Sequence, residues 1–91
     1  MMVSETETMK LIEPSSLFAI NHGDFVGEMW IFMEEANSEY HFLSIPNMIR
    51  RSAPIDSWIS GNDSGIVEYV ESLPEDVYSV CKDQYKHITI S

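Results

Sequence analysis

Phe25-Val26-Gly27-Glu28-Met29-Trp30-Ile31-Phe32-Met33 is the stretch on which the fold turns. It is rich in aromatic and branched side chains and is broken only by Glu28. That composition predicts a strand, and its nine residues fall far short of the ~20 that a bilayer-spanning helix requires. Working outward, Leu17-Phe18-Ala19-Ile20 reads as a preceding strand, followed by the turn formers Asn21-His22-Gly23-Asp24. On the other side Glu35-Ala36-Asn37-Ser38 reads as a turn. Tyr40-His41-Phe42-Leu43-Ser44-Ile45 then reads as a third strand, ended by Pro46. Connections this short favour antiparallel neighbours. The expectation is a three-stranded antiparallel meander over about residues 16–45.

After Pro54 the hydrophobic period changes. Ile55, Trp58 and Ile59 share one face of a short helix with Pro54 in its first turn, and Gly61-Asn62-Asp63-Ser64-Gly65 interrupts it. Ile66, Val67, Tyr69, Val70 and Leu73 fit a helical spacing, although the β-branched residues among them also suit a strand. Ser72-Leu73-Pro74-Glu75 has the form of a capping box. It predicts a helix from about Leu73 whose stripe Leu73, Val77, Val80, Cys81 and Tyr85 packs on the sheet. The fold class expected is therefore α+β: the meander, then short helices, with the capped C-terminal helix across the sheet.

The chain has 91 residues and a net charge of −10, from 15 Asp and Glu against 5 Lys and Arg. Its length implies one domain, placed at 11–91, and residues 1–10 are expected to form a mobile acidic tail. The charge falls in acidic blocks of −5 over residues 15–46 and −4 over residues 63–91, separated by one basic island around Arg50 and Arg51. A single cysteine, Cys81, excludes a disulfide framework within the chain and suits a reducing compartment. The N-terminus lacks the basic and apolar regions of a secretory signal, so a cytoplasmic location is expected. With so few cations to neutralise phosphates, direct binding to nucleic acid or to anionic membranes is disfavoured. A basic protein is the partner that this charge favours.

The motifs of catalysis and metal binding are missing. Cys81 lies on the expected core stripe, where a small hydrophobe is the natural reading, rather than at a helix N-terminus where a thiolate would be stabilised. His22, Asp24, Glu34, Glu35 and His41 have no zinc or calcium spacing. Gly61–Gly65 lacks the lysine of a phosphate loop. No catalytic, cofactor or metal residue is assigned, no cofactor is implied, and an enzyme is not expected.

Surface residues carry the remaining expectation. Strict alternation along the second strand puts Glu28, Trp30, Phe32 and Glu34 on one face. If helices cover only the other face, two aromatics stand in an acidic frame, the composition of a protein-binding patch. Glu68, Glu71 and Glu75 extend the acidic surface in the second half. Arg50 and Arg51 either clamp an anion or pair within the chain. The function expected is a small non-enzymatic interaction module of the inhibitor, antitoxin or accessory type, docking an acidic and aromatic surface on a basic protein. By compositional analogy, viral or phage proteins that neutralise host factors have this character. Alternatives are a DNA mimic that inhibits a nuclease or DNA-binding protein, a small metal-dependent or other enzyme, and a homodimer joined through the Trp30 face.

Overall fold

A computed structural model describes residues 12–88. The elements in order are β1 (Ser16–Ile20), β2 (Met29–Ala36), β3 (Glu39–Ile45), β4 (Ile49–Pro54), α1 (Ile55–Ser64), β5 (Val67–Ser72) and α2 (Glu75–His87). The strands form one sheet in the order β4-β3-β2-β1-β5, with every neighbouring pair antiparallel. The protein is thus a small α+β fold: a five-stranded antiparallel sheet and, among the described residues, two helices. The expected tail, residues 1–10, lies outside the described residues.

The predicted meander is the middle of this sheet, since β1, β2 and β3 pair consecutively. Asn37 and Ser38 both have positive φ, 56° and 63°, as the tight two-residue β2–β3 hairpin demands. The second strand is shorter than expected: Phe25–Glu28 belong to the preceding loop, and pairing starts at Met29.

Two strands beyond the meander correct the expectation. The basic island is β4, an edge strand on β3, with Arg51 opposite Phe42 and Arg50 opposite Leu43. Residues 67–72 form β5 rather than a helix, because they pair along β1 from Ile20–Val67 to Ser16–Ser72. Gly65 makes this possible: at φ 82° it ends α1 in the left-handed conformation, its N–H turned back to Gly61 and Asn62 carbonyls. Pro54 caps α1 from outside instead of sitting in its first turn.

The capping box does not form either. The α2 N-cap is Pro74, without a side-chain hydrogen bond. Ser72 is still in β5, where its hydroxyl meets the Tyr69 hydroxyl at 2.8 Å. Leu73 N–H continues the pairing by donating to the Ser15 carbonyl at 2.9 Å. Glu75 and Asp76 in the first turn of α2, and Lys86 and His87 in the last, complement the helix dipole.

The sheet is packed on both faces. One core joins Phe18, Ile20, Trp30, Phe32, Tyr40, Phe42 and Val67 of the sheet to Trp58 of α1. The other joins Leu17, Ile31, Met33 and Leu43 to Tyr85 of α2, with Leu73, Tyr78 and Cys81 against it. Phe42 and Leu43, adjacent on the interior strand β3, are completely buried on opposite faces. The α2 stripe is rotated from the one expected: Tyr78, Cys81 and Tyr85 face the sheet, while Val77 and Val80 are exposed. Tyr85 is held in that rotation by contacts with Arg50 and Glu34.

Candidate functional site

The expected acidic and aromatic face is dismantled by two features of the tertiary structure. First, α1 covers it. Trp30 and Phe32 are each only 5% exposed, and the Trp30 indole lies parallel to that of Trp58 at 6.1 Å. Second, a bulge between Phe32 and Glu34 shifts the register of β2 against β3. Glu34 therefore turns to the α2 side, where it accepts a hydrogen bond from the Tyr85 hydroxyl at 3.2 Å. Glu28 and Glu34 do not frame one patch. They serve opposite faces.

Glu28 instead closes a polar clasp. Its carboxylate accepts from Arg51 Nε (3.2 Å) and Nη2 (2.9 Å), from Trp30 Nε1 (2.9 Å) and from Ser44 Oγ (2.7 Å). These donors come from β2, β3 and β4, so one side chain from the β1–β2 loop ties three strands. Charge-assisted, forked hydrogen bonds are the strong kind. The Arg51 guanidinium, with the help of Ser44 and Trp30, outweighs partial burial and holds the Glu28 carboxyl down at about 2. Arg51 also lies 4.0 Å from the centre of the Phe25 ring, which brings the loop over the edge strand.

Arg50 serves the other face. Its guanidinium stacks on Tyr85 at 4.0 Å and donates to the Tyr85 carbonyl at 2.7 Å, fastening α2 to the far edge of the sheet. Burial, then the nearby Glu34 carboxylate, push the Tyr85 phenol up. Both arginines are therefore engaged within the chain, and Arg51 is held by a carboxylate.

The second group of candidates is open to solvent. Glu68 and Glu71 lie on the edge strand β5, opposite Ala19 and Leu17, and both are exposed. Glu75 and Asp76 follow in the first turn of α2 and are exposed as well. Among the described residues, Glu28 is the only carboxylate within ion-pair distance of a lysine or arginine; His41 and His87 approach Glu39 and Asp83 at 3.9 Å. Sequence reasoning missed the apolar companions of this surface. Tyr69 and Val70 of β5 and Val77 and Val80 of α2 are all more than 40% exposed. Val70 is the extra residue of a bulge opposite Leu17 and Phe18, an irregularity that periodicity does not announce.

His22, His41 and Cys81 lie on the β1–β2 loop, β3 and α2, and among the described residues no three His, Cys, Asp or Glu side chains gather where a metal ion would bind. Burial pushes the Cys81 thiol up, away from the thiolate. Among the described residues, no helix is long and apolar enough to cross a membrane. Compared with protein-family models, curated proteins and solved structures, the chain matches none.

Proposed function

We propose that this chain is a small non-enzymatic protein-binding module that docks the acidic corner of β5 and α2 on a basic partner protein. One observation carries the reading: Glu68, Glu71, Glu75 and Asp76 are exposed without a lysine or arginine partner among the described residues, while both arginines are engaged inside the fold. Uncompensated charge of one sign steers a partner of the other sign. Val70, exposed between Glu68 and Glu71, and Val77 and Val80, exposed on α2, supply apolar contact area. Trp30 and Phe32 are buried and add no aromatic surface to it, and a homodimer through Trp30 loses its contact. An inhibitor, antitoxin or accessory factor, viral or phage in origin and acting in the reducing cytoplasm, is the class of protein this surface suits.

The test compares proteins captured from a lysate of the source cells by the wild-type chain and by the variant Glu68→Lys/Glu71→Lys/Glu75→Lys. Each captured protein is then purified and titrated directly. A basic protein whose binding weakens steeply with salt and is lost in the variant supports the reading. Equal binding by both chains refutes it. Displacement of the same partner by duplex DNA would identify it as a nucleic-acid-binding protein and the acidic corner as a DNA mimic.

A further inference from the structure

β5 is an outer strand of the sheet, paired with β1 and, among the described residues, with no other strand. Asn21 N–H donates to the Ile66 carbonyl at 2.7 Å, and Leu73 N–H to the Ser15 carbonyl at 2.9 Å. In an antiparallel ladder such bonded pairs alternate with unbonded ones. Ile66, Glu68 and, past the bulge at Val70, Glu71 and Leu73 therefore direct their backbone groups to β1. The N–H and C=O groups of Val67, Tyr69 and Ser72 point away from the sheet, and nothing among the described residues takes them up. The residues from Glu68 to Ser72 are all exposed, so this edge is open. On β4, the other edge, the same alternation turns Arg50, Ser52 and Pro54 outward, and Pro54 has no N–H to offer.

The side chains of β5 define what can pair with it. Val67 packs in the core on the α1 side, and Tyr69 stands edge-on to Phe18 of that core with centroids 5.8 Å apart. Glu68 and Glu71 lie opposite Ala19 and Leu17, on the α2 face to which Leu17 belongs. Neither is within ion-pair distance of a lysine or arginine among the described residues. A second copy joined edge to edge through β5 would gather the Glu68 and Glu71 carboxylates of both chains along one seam, and like charges across a ladder repel. A basic strand meets the opposite charge instead.

We infer, on the reading of β5 and α2 as the docking corner, that the partner docks there by adding an extended basic segment as a sixth strand along β5. Its lysine or arginine side chains lie beside Glu68 and Glu71, and its apolar ones beside Val67 and Tyr69. The backbone bonds supply affinity, and the alternating side chains fix the register.

The probes are an end-capped peptide of alternating lysine and valine and the same peptide N-methylated at every residue, which keeps the charges and removes the backbone donors. Each is titrated into the wild-type chain and followed in two-dimensional proton–nitrogen spectra. The unmethylated peptide is expected to move the Val67, Tyr69 and Ser72 amide signals downfield and to slow their hydrogen exchange. It should bind roughly tenfold more tightly than the methylated one, the worth of about two net hydrogen bonds. In Tyr69→Pro, which removes one outward N–H and leaves both glutamates in place, the gap between the peptides should narrow. Should that variant not fold, the two peptides on the wild type decide alone. Equal affinity for both, or binding by neither, overturns strand addition. The acidic corner as a docking surface fails separately, when the charge-reversed variant captures the partner as the wild type does. Slow exchange at Val67, Tyr69 and Ser72 in the free protein would also overturn strand addition, since a second copy or residues 1–11 would then occupy the edge.

Discussion

Replacing Glu28 by Gln puts a number on the clasp that holds β4 to the rest of the sheet. The carboxyl falls from 4.5 to about 2 on folding, with Arg51 the largest cause. At ~1.4 kcal/mol per unit, that shift has a ceiling of about 3 kcal/mol. The Glu28 side chain keeps 18% of its exposure and Arg51 keeps 23%, so water screens part of the interaction. A contribution of about 2 kcal/mol is the working figure. Because the folded value lies below the unfolded one, the stabilisation is complete above 4.5 and is lost as pH falls from there towards 2. Gln mimics the protonated carboxyl: it keeps the shape and neutral hydrogen bonds but not the charge.

Urea unfolding of wild type and Glu28→Gln, read by tryptophan fluorescence at a series of pH values, isolates this residue because the other carboxylates titrate in both chains. Near pH 7 the variant should be less stable by about 2 kcal/mol, or roughly 10 °C in Tm for a chain of this size. The gap should begin to close near 4.5 and be almost gone at the acid end. A gap that stays constant through this range would show that Glu28 acts through shape alone, and the electrostatic account of the clasp would be wrong.

Other perturbations test the rest of the fold. Trp58→Ala removes the one fully buried side chain of α1 from the aromatic core and should cost about 3–5 kcal/mol in urea unfolding, a large share of a domain's typical ~5–15 kcal/mol. Arg50→Ala loses both the stack on Tyr85 and the bond to its carbonyl; a loss of about 1–2 kcal/mol is expected, with faster amide exchange in the last turn of α2 as its local sign. Val80→Ser, at a site 63% exposed, should change stability by less than about 0.5 kcal/mol, whereas Tyr78→Ala on the buried side of the same helix should cost well over 1 kcal/mol. With a net charge of −10, the Tm should rise as sodium chloride is raised from about 0.01 to about 0.5 M, since salt screens self-repulsion between carboxylates.

The parts of the fold legible in the sequence are those held by local patterning. β1, β2 and β3 are rich in aromatic and aliphatic residues separated by turn formers, and α1 follows Pro54 with Ile55, Trp58 and Ile59 on one side. β4 was not legible because Arg50, Arg51 and Ser52 carry no apolar period; its ladder to β3 supplies what its side chains lack. β5 misled because Ile66, Val67, Tyr69, Val70 and Leu73 satisfy a helical spacing and a strand composition at once. Pairing with β1 decides between them, and that partner lies about fifty residues away. Of the candidate surface, Glu68, Glu71 and Glu75 are exposed as a sequence rich in acids suggests, but Trp30 and Phe32 are not.

By itself, then, the sequence determined the antiparallel meander, the change to helix after Pro54 and the excess of negative charge, because composition and short-range periodicity act on neighbouring residues. Only the tertiary structure decided which face of β2 is covered, which side of α2 turns inward and where the two arginines go. The physical reason is the same in each case. Glu28 and Arg51 are 23 positions apart, Arg50 and Tyr85 are 35 apart, and Glu34 and Tyr85 are 51 apart. Nothing in the local pattern links such pairs until the sheet brings them within hydrogen-bonding distance.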